Sequence, residues 1–131
     1  MKIITLIAVI AIVLIQFSGA VPLSSVGGPM TLAMVFLAAA LAAGIYEAWS
    51  MRRGVLGWIV SILTALAGAI VAGLAGGTLM DLFMGLIAPL IDLQGSLAAT
   101  RHPLLYITSA AMMLFILLGA WLALRLVNRW R

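Results

Sequence analysis

The sequence predicts an all-α integral membrane protein: a four-helix bundle with both termini cytoplasmic and a short amphipathic helix between helices three and four. Three observations carry this. Apolar residues make up 66% of the 131 positions and charged ones 8%, against about 45–50% and about 25% in a soluble domain. The mean hydropathy is +1.34. The apolar residues also run in four continuous stretches near the length of about 20 residues that crosses about 30 Å of hydrocarbon. A membrane β-strand would instead alternate polar and apolar over about 10 residues. Seven basic and three acidic side chains cannot keep this much apolar surface in water, which excludes a soluble enzyme and a disordered tail. The lack of cysteine excludes a disulfide scaffold.

Helix one is expected over 3–21, interrupted only by Thr5, Gln16 and Ser18. Lys2 before it and Ser18-Gly19-Ala20 near its end have the pattern of a secretory signal. The segment is read as an uncleaved signal anchor; cleavage would leave three spans in the same orientation. Pro22 and the cluster Ser24-Ser25-Val26-Gly27-Gly28-Pro29 separate it from helix two. Helix two, 30–49, has no charge before Glu47, which is expected to snorkel and pair with Arg52, Arg53 or Arg125. A proton relay there would need a second intramembrane titratable group on the same side, and the sequence offers none. Arg52-Arg53-Gly54 is so short a link that helices two and three must be antiparallel neighbours.

Helix three, 55–77, carries the most distinctive pattern. Gly57, Ser61, Ala65, Ala69, Gly73 and Gly77 recur every four residues, and Thr64, Gly68, Ala72 and Gly76 form a second row beside them. Small side chains let helix backbones approach closely in lipid, where dispersion replaces the hydrophobic drive. Helix two answers with Ala38, Ala39, Ala40, Ala42, Ala43 and Gly44. Two rows predict contact from two sides, by neighbours in the same chain or, on the second face, by a homo-oligomer or a larger membrane partner.

The segment 78–93 is too apolar for an ordinary loop. Drawn as a helix, it sets Asp81, Gly85, Ala88 and Asp92 on one face and six leucine, isoleucine and phenylalanine side chains on the other. Pro89 would bend or break it. It is read as an interfacial helix, the alternative being a re-entrant hairpin covered by protein. Asp81 and Asp92 are either a solvated polar face or a cation or proton site, since carboxylates at membrane depth are costly and usually functional. Helix four, 104–126, follows Gly95-Ser96 and His102-Pro103, with Pro103 well placed at a helix start.

With the N-terminus inside, Lys2, Arg52, Arg53, Arg125, Arg129 and Arg131 are cytoplasmic and only Arg101 is outside, a strong positive-inside bias. Trp49, Trp58, Trp121 and Trp130 fall at the same ends, where an indole prefers to sit. The net charge of +4 belongs to this inner rim; no basic stripe interleaved with aromatics exists to bind nucleic acid.

The run Arg53-Gly54-Val55-Leu56-Gly57-Trp58-Ile59-Val60-Ser61-Ile62-Leu63, continued by Gly68-Ala69-Ile70-Val71-Ala72-Gly73, resembles the small glycine-rich bacterial proteins called transglycosylase-associated. Those combine a basic-glycine turn, a helix ending in Gly-Ala-x-x-x-Gly and a last helix with an arginine-rich end, a part that Leu104–Arg131 would play. The resemblance covers Arg53–Gly77 and the C-terminal helix; the chain departs from it in the long Thr78–Pro103 connection and in helix one. It implies a bacterial inner-membrane protein linked to envelope stress, without a defined chemistry.

Chemistry-bearing residues are few. His102, the single histidine, cannot make a four-ligand structural zinc site without cysteine; it and Arg101 are expected to face lipid headgroups or an acidic loop of a partner. No serine, histidine and acid combination reads as a nucleophile with its base, no glycine-rich phosphate loop is present, and no cofactor is expected. The expected function is a non-catalytic accessory or assembly subunit, in the lipid bilayer against a larger membrane-protein partner or as a homo-oligomer. The alternative is a small oligomeric channel, transporter or holin-like pore with Asp81 and Asp92 at its outer mouth.

Overall fold

The computed structural model describes residues 2–21, 26–90 and 103–130. Four α-helices account for most of them: α1 Lys2–Phe17, α2 Gly27–Ser50, α3 Val55–Ile87 and α4 Pro103–Arg129. There is no strand among the described residues. α2, α3 and α4 are long and apolar enough to cross a membrane, and the molecule is an all-α membrane bundle.

α1 is shorter than the 3–21 expected from its apolar run. Its 16 residues rise about 24 Å, less than the about 30 Å of a hydrocarbon core. The stop is local. Ser18 donates its N–H to the Leu14 carbonyl and its hydroxyl to the Ile15 carbonyl, and Gly19 then turns the chain at a φ of 77°, a conformation that glycine adopts without strain.

α2 begins three residues before the expected boundary, with Pro29 in the first turn, where a missing N–H costs no intrahelical bond. Its end is a Schellman turn: Arg53 N–H reaches the Ala48 carbonyl and Arg52 N–H the Trp49 carbonyl. Arg52 occupies the left-handed position at φ 46°, where glycine is the usual residue. The reversal it makes is tight enough that α3 starts within three residues.

α3 corrects the expectation of a separate helix over 78–93. It runs without a break through Gly76-Gly77 to Ile87, and a 3₁₀ turn, Ala88–Leu90, ends it. Gly76 is buried against Met112 and Phe115 of α4, so tertiary contact holds the helix where local propensity is weakest. Pro89 acts at the end, where its ring and missing N–H prevent another α-turn. Residues 91–93 lie outside the described residues.

α4 is the centre of the bundle and touches all three other helices, whereas α1 and α3 make no contact among the described residues. Two buried clusters lie on two of its faces. Met113 and Leu117 join Ile12, Leu32 and Ala43, while Ile116, Ala120 and Leu124 join Ala40, Ala65 and Ala69. Much of the remaining apolar surface, such as Leu6, Ile10 and Leu14 on α1, is exposed, as lipid-facing side chains are. The N-termini of α1 and α3 and the C-termini of α2 and α4 share one end. That end gathers Lys2, Arg52, Arg53, Arg125 and Arg129; Arg131 lies outside the described residues.

Candidate functional site

The rows of small residues on α3 meet different neighbours at different heights. Ser61, Ala65 and Ala69 are buried, and a Cβ added to Gly44 of α2 would stand 3.0 Å from Ile62 Cα and 3.1 Å from Ala65 Cβ. α2 and α3 therefore cross nearly backbone to backbone at Gly44. The second row faces α4. A Cβ on Gly68 would lie 2.5 Å from both Ala123 Cβ and the Gly119 carbonyl oxygen, and one on Gly119 would collide with Ala72. Over Ser61–Gly76 both rows thus face helices of the same chain.

The first row is not close-packed along its whole length. The space a Cβ would fill at Gly57 is taken by the stem of Arg53, which folds back over the first turn of α3. Gly73 stands at ordinary distance, 3.7 Å, from Ile116 of α4. Gly77 meets nothing within 4 Å among the described residues. Gly73 borders a cavity of about 370 Å³ between α2, α3 and α4, and Gly77 borders a second of about 240 Å³.

At the basic end a polar relay ties three segments. Asn128 of α4 donates through Nδ2 to Glu47 Oε1 at 2.6 Å and accepts on Oδ1 from an Arg53 terminal nitrogen at 2.5 Å. This corrects the expected direct pairing of Glu47 with an arginine: no ion pair of Glu47 is present among the described residues. An amide carries both a donor and an acceptor, so Asn128 bridges carboxylate and guanidinium, although Arg53 Nε stays buried without a partner among the described residues. Arg125 lies instead over the Trp121 ring, 5.1 Å from its centroid.

The opposite end holds a second polar group. Gln16 Nε2 donates to Ser109 Oγ, which is directed back to the Tyr106 carbonyl. Gln16 and Ser109 are only 3% and 4% exposed, and Gln16 Oε1 has no partner among the described residues. Beside this pair, Phe17 and Tyr106 stack with ring centroids 4.7 Å apart. Both contacts fasten α1 to α4. An intramembrane glutamine normally faces the bundle interior, which is the signal in the sequence that points to Gln16; nothing comparable points to Ser109 or Asn128.

Asp81 is exposed on α3 and lines a cavity of about 240 Å³ with Met80, Met84, Thr108, Ser109 and Met112. Asp92, Arg101 and His102, expected to accompany it, lie outside the described residues. Among the described residues no three histidine, aspartate or glutamate side chains gather as a metal site would require. At the level of Gly68 and Gly119 the backbones of α3 and α4 are too close for a channel to pass between them. No family model, curated protein or solved structure matches the chain, and the likeness to transglycosylase-associated proteins rests on the quoted residues alone.

Proposed function

We propose that this is a non-catalytic, multi-pass protein of a bacterial inner membrane, with both termini in the cytoplasm, acting as an accessory or assembly subunit of a larger membrane complex. One observation supports this above the others: α3 is too long for its membrane. With the 3₁₀ turn that ends it, the helical span Val55–Leu90, 36 residues, extends about 54 Å. Even at a steep tilt of about 40° it covers about 41 Å of depth, the whole bilayer with its headgroups. Its outer arm nevertheless carries Leu79, Leu82, Phe83, Leu86 and Leu90, all at least half exposed. An apolar arm at headgroup depth favours a protein partner over water. The small-residue rows, met over Ser61–Gly76 by helices of the same chain, are not the docking face of this reading.

Native mass spectrometry of protein extracted at its natural level in mild detergent tests it. Co-migration with larger membrane subunits, lost in a Leu82→Glu/Leu86→Glu variant whose thermal midpoint is unchanged, is the expected result. A mass near 13.8 kDa or a small multiple of it would refute it. The pore reading would then come forward, on the position of Asp81 at a cavity between α2, α3 and α4. It requires several copies and a conductance in reconstituted bilayers that weakens in Asp81→Asn.

A further inference from the structure

A cavity of about 810 Å³ forms a cleft between α1 and α4 at the basic end, with Lys2, Leu6 and Val9 on one wall and Leu114, Leu118 and Trp121 on the other. It is closed at depth. Ile12 and Met113 are fully buried just beyond it, and the Gln16–Ser109 bond and the Phe17–Tyr106 stack hold the two helices together past that point. The helices therefore splay from a fixed joint toward the basic end. Each wall is seven residue steps deep, about 10 Å, or two-thirds of one leaflet's about 15 Å of hydrocarbon.

The chemistry of the mouth differs from that of the walls. Lys2 stands at the rim and makes no ion pair among the described residues, and Arg125, one turn beyond Trp121, is an exposed residue held over that indole. Below the rim the lining is almost wholly apolar. A hydrocarbon slot with two cations at its headgroup end matches an anionic phospholipid, one acyl chain between α1 and α4 and the phosphate between Lys2 and Arg125. We infer that this cleft is a binding site for one anionic phospholipid of the leaflet that meets the basic end. The site does not depend on the accessory-subunit reading. The joint sets its depth and the splay sets its width.

The test is native mass spectrometry of the full chain in mild detergent, with dioleoyl phosphatidylglycerol or dioleoyl phosphatidylcholine added at equal concentration. The expected result is one retained phosphatidylglycerol, held at least about fivefold more tightly than phosphatidylcholine, with Lys2→Gln removing about a fivefold preference. Leu118→Trp and Leu6→Trp fill the cleft from opposite walls and should each abolish retention; both positions are more than half exposed, so neither change disturbs the core. Millimolar inorganic phosphate should not displace the lipid, because the acyl chain carries much of the affinity. Equal retention of the two lipids, retention unaffected by both tryptophan variants, displacement by phosphate alone, or a dimer that phosphatidylglycerol does not dissociate would each overturn the inference, the last in favour of a second copy in the cleft.

Discussion

Gly68→Ala and Gly77→Ala add the same methyl group to the same helix, and the structure separates them sharply. At Gly68 the new Cβ would stand 2.5 Å from Ala123 Cβ and 2.5 Å from the Gly119 carbonyl oxygen. Ordinary carbon contacts lie at about 3.5–4.0 Å, so α3 and α4 must part by roughly 1 Å. Neither obstacle is the end of a flexible side chain that can swing away. At Gly77 the methyl group meets open space among the described residues. The gain in helix propensity, about 1 kcal/mol, is common to both and cancels in the comparison. What is left is the cost of overpacking, about 1–3 kcal/mol, and Gly68→Ala should be less stable than Gly77→Ala by that amount. Equilibrium unfolding in mixed micelles of mild and denaturing detergent, followed by far-ultraviolet circular dichroism, measures it. Gly119→Ala should behave like Gly68→Ala, and the double variant should lose less than the sum, since the first methyl group already parts the helices. Equal stability of Gly68→Ala and Gly77→Ala, within about 0.5 kcal/mol, would refute the close crossing.

Asn128→Leu removes the bridge between Glu47 and Arg53 and should cost about 1.5–3 kcal/mol, the range for hydrogen bonds to charged groups; the share that runs through Glu47 should vanish when Glu47→Ala is already present, leaving the share of the Arg53 bond, as a double-mutant cycle in the same unfolding assay will read. Ser109→Ala should cost about 0.6 kcal/mol and at most about 1.7, the measured span for interhelical hydrogen bonds in membranes, whereas Gln16→Leu/Ser109→Ala should be close to neutral because it also eliminates the buried, unpaired Gln16 Oε1. The chain has no cysteine, so orientation can be read with single substitutions: Asp81→Cys should react with an impermeant maleimide in intact spheroplasts and Arg129→Cys only after permeabilisation, and the reverse pattern would invert the proposed topology.

The membrane class, the helical fold and the approximate location of each helix follow from composition and from runs of apolar residues, properties each segment has by itself. The two small rows of α3 are equally local, since a four-residue repeat lies on one face of any helix. Tertiary structure decided what each row meets. Gly44 touches α3 at Ile62 and Ala65, and Gly68 touches α4 at Gly119 and Ala123, because crossing points depend on how all the side chains between the helices fill space together. It also decided that Gly57 serves the stem of Arg53 and that α3 continues through Gly76-Gly77, where the contact with Met112 and Phe115 outweighs weak propensity. The Glu47–Asn128–Arg53 relay joins positions up to 81 residues apart, and the Gln16–Ser109 bond joins positions 93 apart. Such pairings carry no mark in the local pattern of either segment. They exist because a buried polar group in lipid must find its partner inside the bundle, and only the assembled helices determine which partner is within reach.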